Sequence, residues 1–114
     1  MSEPSVFTRI LNGEIPGEFV YKDDLVFAIR DINPIAPTHI LIIPREPLVS
    51  VNDLDEAKEH IAGRMLVVAA KLAKEMGIDS SGYRLVINTG PDGGQEVMHL
   101  HMHLLGGRKM RGLG

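Results

Sequence analysis

Hydrophobic positions recur with two periods along this chain, and the changes of period divide it into elements. Val6, Phe7, Ile10 and Leu11 fall at helical spacing directly after Pro4-Ser5, and Asn12-Gly13 supplies a stop, which predicts a short amphipathic helix. From Glu18 the pattern becomes strand-like: Phe19 to Tyr21, turn chemistry at Asp23-Asp24, then Leu25 to Ile29 as the second arm of a hairpin. Asp31 to Pro37 carries two prolines without backbone N–H donors, so it reads as a loop before a strand from His39 to Ile43 that Pro44 and Pro47 end. Leu54, Ala57, Ile61, Met65, Val68 and Leu72 then recur every three or four residues. Asp53, with Glu56 three residues on, has the form of a capping box, and Gly77 closes the run, which predicts one long helix from about residue 53 to 76. Tyr83 to Asn88 reads as a strand, Thr89 to Gly94 as a tight loop, and Val97 to Leu105 as a last strand ending at Gly106-Gly107.

Five strands joined mostly by short turns, with two helices segregated in sequence, predict an α+β fold: a mainly antiparallel five-stranded sheet with one short and one long helix. No repeat, linker or low-complexity stretch interrupts the 114 residues, so residues 1–114 are expected to form a single domain.

Composition narrows the function. Twelve Lys and Arg against fifteen Asp and Glu give a formal charge of −3 with no run of like charges, which provides no electrostatic footprint for nucleic acid or an anionic membrane. The absence of cysteine removes disulfide scaffolds, thiol catalysis and thiolate zinc sites, and suits a reducing compartment. The N-terminus lacks the basic-then-apolar order of a signal peptide, and the longest apolar run, Met65 to Ala70, is far short of a spanning helix. A cytoplasmic location is therefore expected.

Chemistry concentrates near the C-terminus. His99, His101 and His103 alternate with Leu100, Met102 and Leu104, so in an extended chain the imidazoles share one face and the apolar side chains the other. A solvated or structurally hydrogen-bonded face is one reading. A metal site is a second, because imidazole is a common ligand. Against it, the outer pair on a straight strand lie about 13 Å apart at the backbone. Only Glu96 offers a nearby carboxylate. Covalent catalysis is a third, since a neutral imidazole whose tautomer is fixed by a neighbour attacks phosphorus or carbonyl carbon. The preceding Thr89-Gly90-Pro91-Asp92-Gly93-Gly94-Gln95 lacks the Lys-Ser/Thr ending of a P-loop, but a glycine-rich loop of this kind can present backbone N–H groups to an anion. His60, expected on the outer face of the long helix, carries no such signal.

His99-Leu100-His101-Met102-His103-Leu104-Leu105 resembles the histidine-triad pattern of the HIT superfamily at every position. Ile15-Pro16, Asp31-Ile32-Asn33-Pro34, Ala36-Pro37-Thr38-His39, Asn88, Asp92-Gly93-Gly94-Gln95 and Leu105-Gly106-Gly107-Arg108 are similar to its HINT branch, the histidine triad nucleotide-binding proteins, and the likeness runs through nearly the whole chain. The resemblance implies a HIT-like fold and a homodimeric purine nucleoside phosphoramidase that needs no cofactor or metal. Such an enzyme cleaves the P–N bond of adenosine phosphoramidates, and aminoacyl adenylates, to release AMP; GMP and its phosphoramidates are also implied as ligands.

By position in the motif, His101 is implied as the nucleophile that becomes a nucleotidyl-histidine, and His103 as a hydrogen-bond donor to a phosphate oxygen. His99 and His39 are implied to complete the network that holds His101. The family's purine pocket maps onto Val6, Phe7, Ile10, Ile29, Ile32 and Leu41, its ribose acceptor onto Asp31, and its phosphate region onto Asn88, Gly94, Gln95 and Glu96. Read without the family, the aliphatic residues are equally a core stripe. The chain departs from the pattern at Glu96, where many members carry Ser, at Met98 in place of an aromatic, at Arg30 in place of His, and in a tail ending soon after Arg108. Dinucleoside polyphosphate hydrolysis, nucleotidyl transfer and a non-enzymatic nucleotide-binding regulatory role are the alternatives within and beyond this superfamily.

Overall fold

A computed structural model describes residues 3–113. Met1, Ser2 and Gly114, the ends of the span read as one domain, lie outside them. Ser5 begins helix α1 (Val6–Leu11) by accepting from the Thr8 amide at 3.1 Å, and the chain then enters a hairpin of β1 (Phe19–Lys22) and β2 (Val26–Arg30). Asp23 builds the hairpin turn: its Oδ1 accepts from the amides of Leu25 (2.7 Å) and Val26 (2.8 Å), and its Oδ2 from Tyr21 and Arg64. Strand β3 (Thr38–Pro44), helix α2 (Glu59–Glu75) and strands β4 (Tyr83–Val86) and β5 (Met102–Gly106) follow. The five strands form one antiparallel sheet, as the sequence predicts, and their order in it is β1-β2-β3-β5-β4.

The strand period of two sorts the sheet residues onto two unequal faces. Val26, Ala28, Ile40, Ile42, Met102 and Leu104 meet Ile61, Met65, Val68, Ala69, Leu72 and Ala73 of α2 in the larger core. Phe27, Ile29, Leu41 and Ile43 point to the other face, where α1 covers them with Phe7 and Ile10. His39 and His103 sit on this second face, since each is the neighbour in sequence of residues committed to α2. Among the described residues, no helix is long and apolar enough to cross a membrane.

Three boundaries differ from the sequence reading by two residues or more. The long helix begins at Glu59 rather than near Asp53, because Leu54 and Asp55 are extended (ψ 139° and −173°) and interrupt the helical path. Asp53 accepts from the Val49 amide at 2.7 Å, closing a 3-10 turn over Val51–Asp53, and Asp55 accepts from Ala57 ahead of a second turn over Glu56–Lys58. The last strand begins at Met102, not Val97. Residues 97–101 run past the end of the β3 ladder and bond to the 44–48 segment instead, through Leu100 N–H to the Leu48 carbonyl (2.7 Å). Pro44 is the last residue of β3, beyond the pairing with β5, where its missing N–H costs the ladder nothing. β4 likewise stops at Val86, opposite His103, two residues short of Asn88.

Candidate functional site

Register brings the imidazoles together. His39 stands opposite Leu105 and His103 opposite Leu41, so the two histidines are diagonal neighbours on the α1 face. Their ring centroids lie 5.2 Å apart, and those of His101 and His103 5.1 Å. Alternation places His99 and His101 on the same side even though their segment pairs with no strand, because extended backbone alternates with or without a ladder.

The hydrogen bonds assign each tautomer. The Ile35 amide donates to His39 Nδ1 (3.2 Å), so neutral His39 carries its proton on Nε2. That proton is donated to His103 Nδ1 at 2.9 Å, with Asp31 Oδ2 3.4 Å from His39 Nε2. His103 therefore carries its own proton on Nε2. His101 has the opposite arrangement: Nδ1–H donates to the His99 carbonyl at 2.7 Å, which leaves a lone pair on Nε2. His99 is the most enclosed at 1% exposure; its Nε2–H donates to the Pro44 carbonyl (2.8 Å) and its Nδ1 accepts from the Ser5 hydroxyl (2.5 Å).

Electrostatics favour the neutral form of His39, His99 and His103. Burial, reinforced by the neighbouring His101 and His39 and only partly opposed by Asp31, pushes the His103 imidazole down to about 4. Burial also lowers His39, against the attraction of Asp31, and lowers His99, against the Pro44 carbonyl. Neutral rings can supply both a lone pair and a donor, which two imidazolium ions cannot.

The rings open onto a cavity of about 470 Å3, with His39, His101 and His103 in its wall. Val6, Phe7 and Ile10 of α1, with Ile15, form one side, and Ile29 and Leu41 another. Phe7 also packs edge-on against His101, with centroids 4.9 Å apart. Asp31, Ile32, Asn33 and Ile35 shape the rim, where Ile32 is 85% exposed. Asn88, Gly94, Glu96 and Val97 complete the wall. This volume falls within the range of small-ligand sites, and Asp31, His39 and His103 converge in the wall of a mostly apolar chamber.

A HIT domain model matches residues 12–110. The chain belongs to the HIT domain family. It is 56% identical over 110 residues to the purine nucleoside phosphoramidase of Escherichia coli K12, covering 96% of this chain and 92% of that relative. Its fold is similar to a HIT family hydrolase from Legionella pneumophila (TM-score 0.92, 45% identity, covering 95% of this chain and 96% of that one). A histidine triad protein from Clostridium difficile matches over the full length of both chains (TM-score 0.93, 44% identity).

Eleven of the residues singled out from sequence line the cavity beside His39 and His103, His99 holds the His101 ring through its carbonyl, and two expectations change. Gln95 does not line the cavity. Its amide is a latch, donating to the Val49 (2.7 Å) and Val97 (3.0 Å) carbonyls while accepting from the Gly90 amide (3.0 Å). The loop amides of Gly90, Gly94 and Gln95 are likewise engaged inside the loop, so these three do not form the expected anion nest. Glycine is required there for shape: a Cβ on Gly93 would lie 2.3 Å from the Thr89 carbonyl oxygen, and Gly94 has φ +79°. Asp31 commits Oδ1 to the Asn33 amide (2.8 Å) and turns Oδ2 toward the His39–His103 pair.

Sequence reasoning missed Ser5, Ile35 and Arg108. Arg108 donates to the Ile35 carbonyl at 2.8 Å and ties the rim loop to the end of β5. Ser5-x-x-Thr8 is legible as a helix cap, but its bond to a histidine 94 positions away is not. Asp31, His39 and His103 each place one ligand atom within 4.8 Å of the others, a set that could hold a cation. An ion held by His39 Nε2 and His103 Nδ1 would displace the proton shared between them, which sets the tautomers.

Proposed function

We propose that this HIT protein hydrolyses the P–N bond of purine nucleoside phosphoramidates through a nucleotidyl-His101 intermediate. The observation that carries the reading is the opposed tautomer pair: a lone pair on His101 Nε2 beside a proton on His103 Nε2, both on the wall of one cavity. His101 Nε2 attacks the α-phosphorus, and the amine leaves with the P–N electron pair and a proton from solvent. His103 Nε2–H donates to a phosphoryl oxygen as charge grows there. In the intermediate, the His101 ring keeps its Nδ1–H on the His99 carbonyl and is cationic, hence a good leaving group. Water then adds to phosphorus and releases its second proton to solvent, the P–Nε2 pair returns to the ring, and the nucleoside monophosphate departs with the water's hydroxyl.

The base and sugar are assigned to the apolar chamber between α1 and the sheet. Asp31 retains lone pairs on Oδ2 for ribose hydroxyls, and Asn88 and Glu96 flank the phosphate end. Adenosine phosphoramidates and aminoacyl adenylates are the proposed substrates, with AMP or GMP as product and no cofactor. A homodimer is part of the same proposal: Leu66 (55% exposed) and Val67 (62%) lie on α2 away from its core face, and β4 is a free sheet edge that a second copy would pair.

The test is intact-protein mass after rapid quenching with an adenosine phosphoramidate. A transient gain of one adenylyl group on the native chain, absent from His101→Ala, is expected, with turnover of the variant down by at least about 1,000-fold. Turnover by His101→Ala at the native rate refutes the assignment, and preferential cleavage of a diadenosine polyphosphate in a parallel assay moves the chain to another HIT activity.

A further inference from the structure

His99 presents an accounting problem. Its ring is buried, lies off the cavity wall and has both nitrogens engaged, so it cannot touch a substrate. What it offers the site is its backbone carbonyl, the acceptor that holds His101 Nδ1–H. The carbonyl's position depends on how the ring is pinned, and one of the two pins comes from outside the sheet. The Ser5 hydroxyl donates to His99 Nδ1 while its oxygen accepts from the Thr8 amide at the start of α1. Phe7, two residues on, lays its ring edge-on against both His99 (5.9 Å between centroids) and His101 (4.9 Å).

From this geometry we infer that Ser5 is a positioning residue for the nucleophile, fixing His99 and through its carbonyl the tautomer and aim of His101. The inference rests on the reading of His101 as nucleophile and extends it to a residue 96 positions upstream. Removing the hydroxyl leaves two arrangements, both costly. Either Nδ1 stays buried as an unpaired acceptor, or the ring takes the other tautomer, leaving Nδ1–H without an acceptor and the Pro44 carbonyl without its donor. The same serine begins the helix that walls the apolar chamber, so seating of α1 against the sheet and readiness of the nucleophile form one mechanical unit.

The cap and the donor are separable by substitution. Ser5→Asp keeps a strong cap acceptor for the Thr8 amide but has no proton to give His99 Nδ1; Ser5→Ala loses both; Ser5→Thr keeps both. With an adenosine phosphoramidate, the Asp and Ala variants are expected to lose roughly ten- to fiftyfold in kcat with KM changed less than about threefold, and Ser5→Thr to return to within about threefold of the native kcat. Nitrogen-15 spectra of the histidine rings give a readout independent of turnover: the native chain should show His101 protonated at Nδ1 and His99 at Nε2, and Ser5→Asp should perturb both. Native kcat in Ser5→Asp, or losses confined to KM and thermal stability, overturns the inference. If the native chain does not turn over the phosphoramidate, the proposed function fails by itself; the ring spectra still decide the Ser5 link, and unchanged His101 signals in Ser5→Asp sink it.

Discussion

Acidification should unfold this protein through its histidines before its carboxylates titrate, and His103 should account for a measurable share. Folded His103 titrates at about 4 against an ordinary 6.5, so between those values the unfolded chain binds a proton that the folded chain refuses. Stability from this group is fully present above pH 6.5 and falls as pH drops toward 4. At roughly 1.4 kcal/mol per pH unit, the interval from 6.5 to 5.0 carries about 2 kcal/mol, and the ring's open side on the cavity reduces this to about 1–2 kcal/mol. In a chain of 114 residues that is a fall in Tm of roughly 5–10 °C. The comparison is thermal unfolding at pH 7.5 and 5.0, at fixed ionic strength, of the native chain and His103→Asn. The Asn carbonyl oxygen can accept from His39 Nε2–H where Nδ1 stood, so the bond survives while the titration disappears. His39 and His99 are lowered in the same direction and burden both proteins, which leaves His103 as the difference. Equal losses in the two proteins, or a His103 ring signal titrating near 6.5, would refute the reasoning.

Three further outcomes test other parts of the molecule. Asp31→Ala should weaken AMP binding about tenfold by calorimetry, and unchanged affinity would remove its ribose role. Turnover should persist after exhaustive chelation, whereas recovery that requires added zinc would assign Asp31, His39 and His103 to a metal. Asp23→Ala should cost about 2–3 kcal/mol in urea unfolding, since it strips the hairpin turn of two amide bonds and its link to Arg64. Burial alone would push the Asp23 carboxyl up, but the Val26 and Leu25 amides, with Arg64 and Tyr21, outweigh it and hold it well below the usual carboxylate range. Its contribution is therefore present above the ordinary carboxylate pKa and is lost only in strong acid; stability of Asp23→Ala that matched the native chain at pH 7 would contradict this.

What the sequence discloses of this site follows from the range of each interaction. Side-chain alternation is local, so the shared face of His99, His101 and His103 was legible although two of the three lie outside the paired strand. The capping-box pattern at Asp53 and Glu56 is local too, and it misled: Asp53 was drawn to the Val49 amide by a turn the pattern does not encode. Ser5 on His99 and Arg108 on Ile35 join segments 94 and 73 residues apart and exist only once α1 and the rim loop have docked. The deepest ambiguity, whether Phe7, Ile10, Ile29 and Leu41 are core or pocket, has a structural answer: they are both. The sheet is apolar on two faces, but α2 with 17 residues spans about 25 Å of one, while α1 with 6 spans about 9 Å of the other. The face α1 leaves uncovered is the apolar chamber, and His39 and His103 enter its wall because β3 and β5 turn those side chains to the under-covered side. A longer first helix would cover more of that face, so the shortness of α1 is what leaves the cavity open.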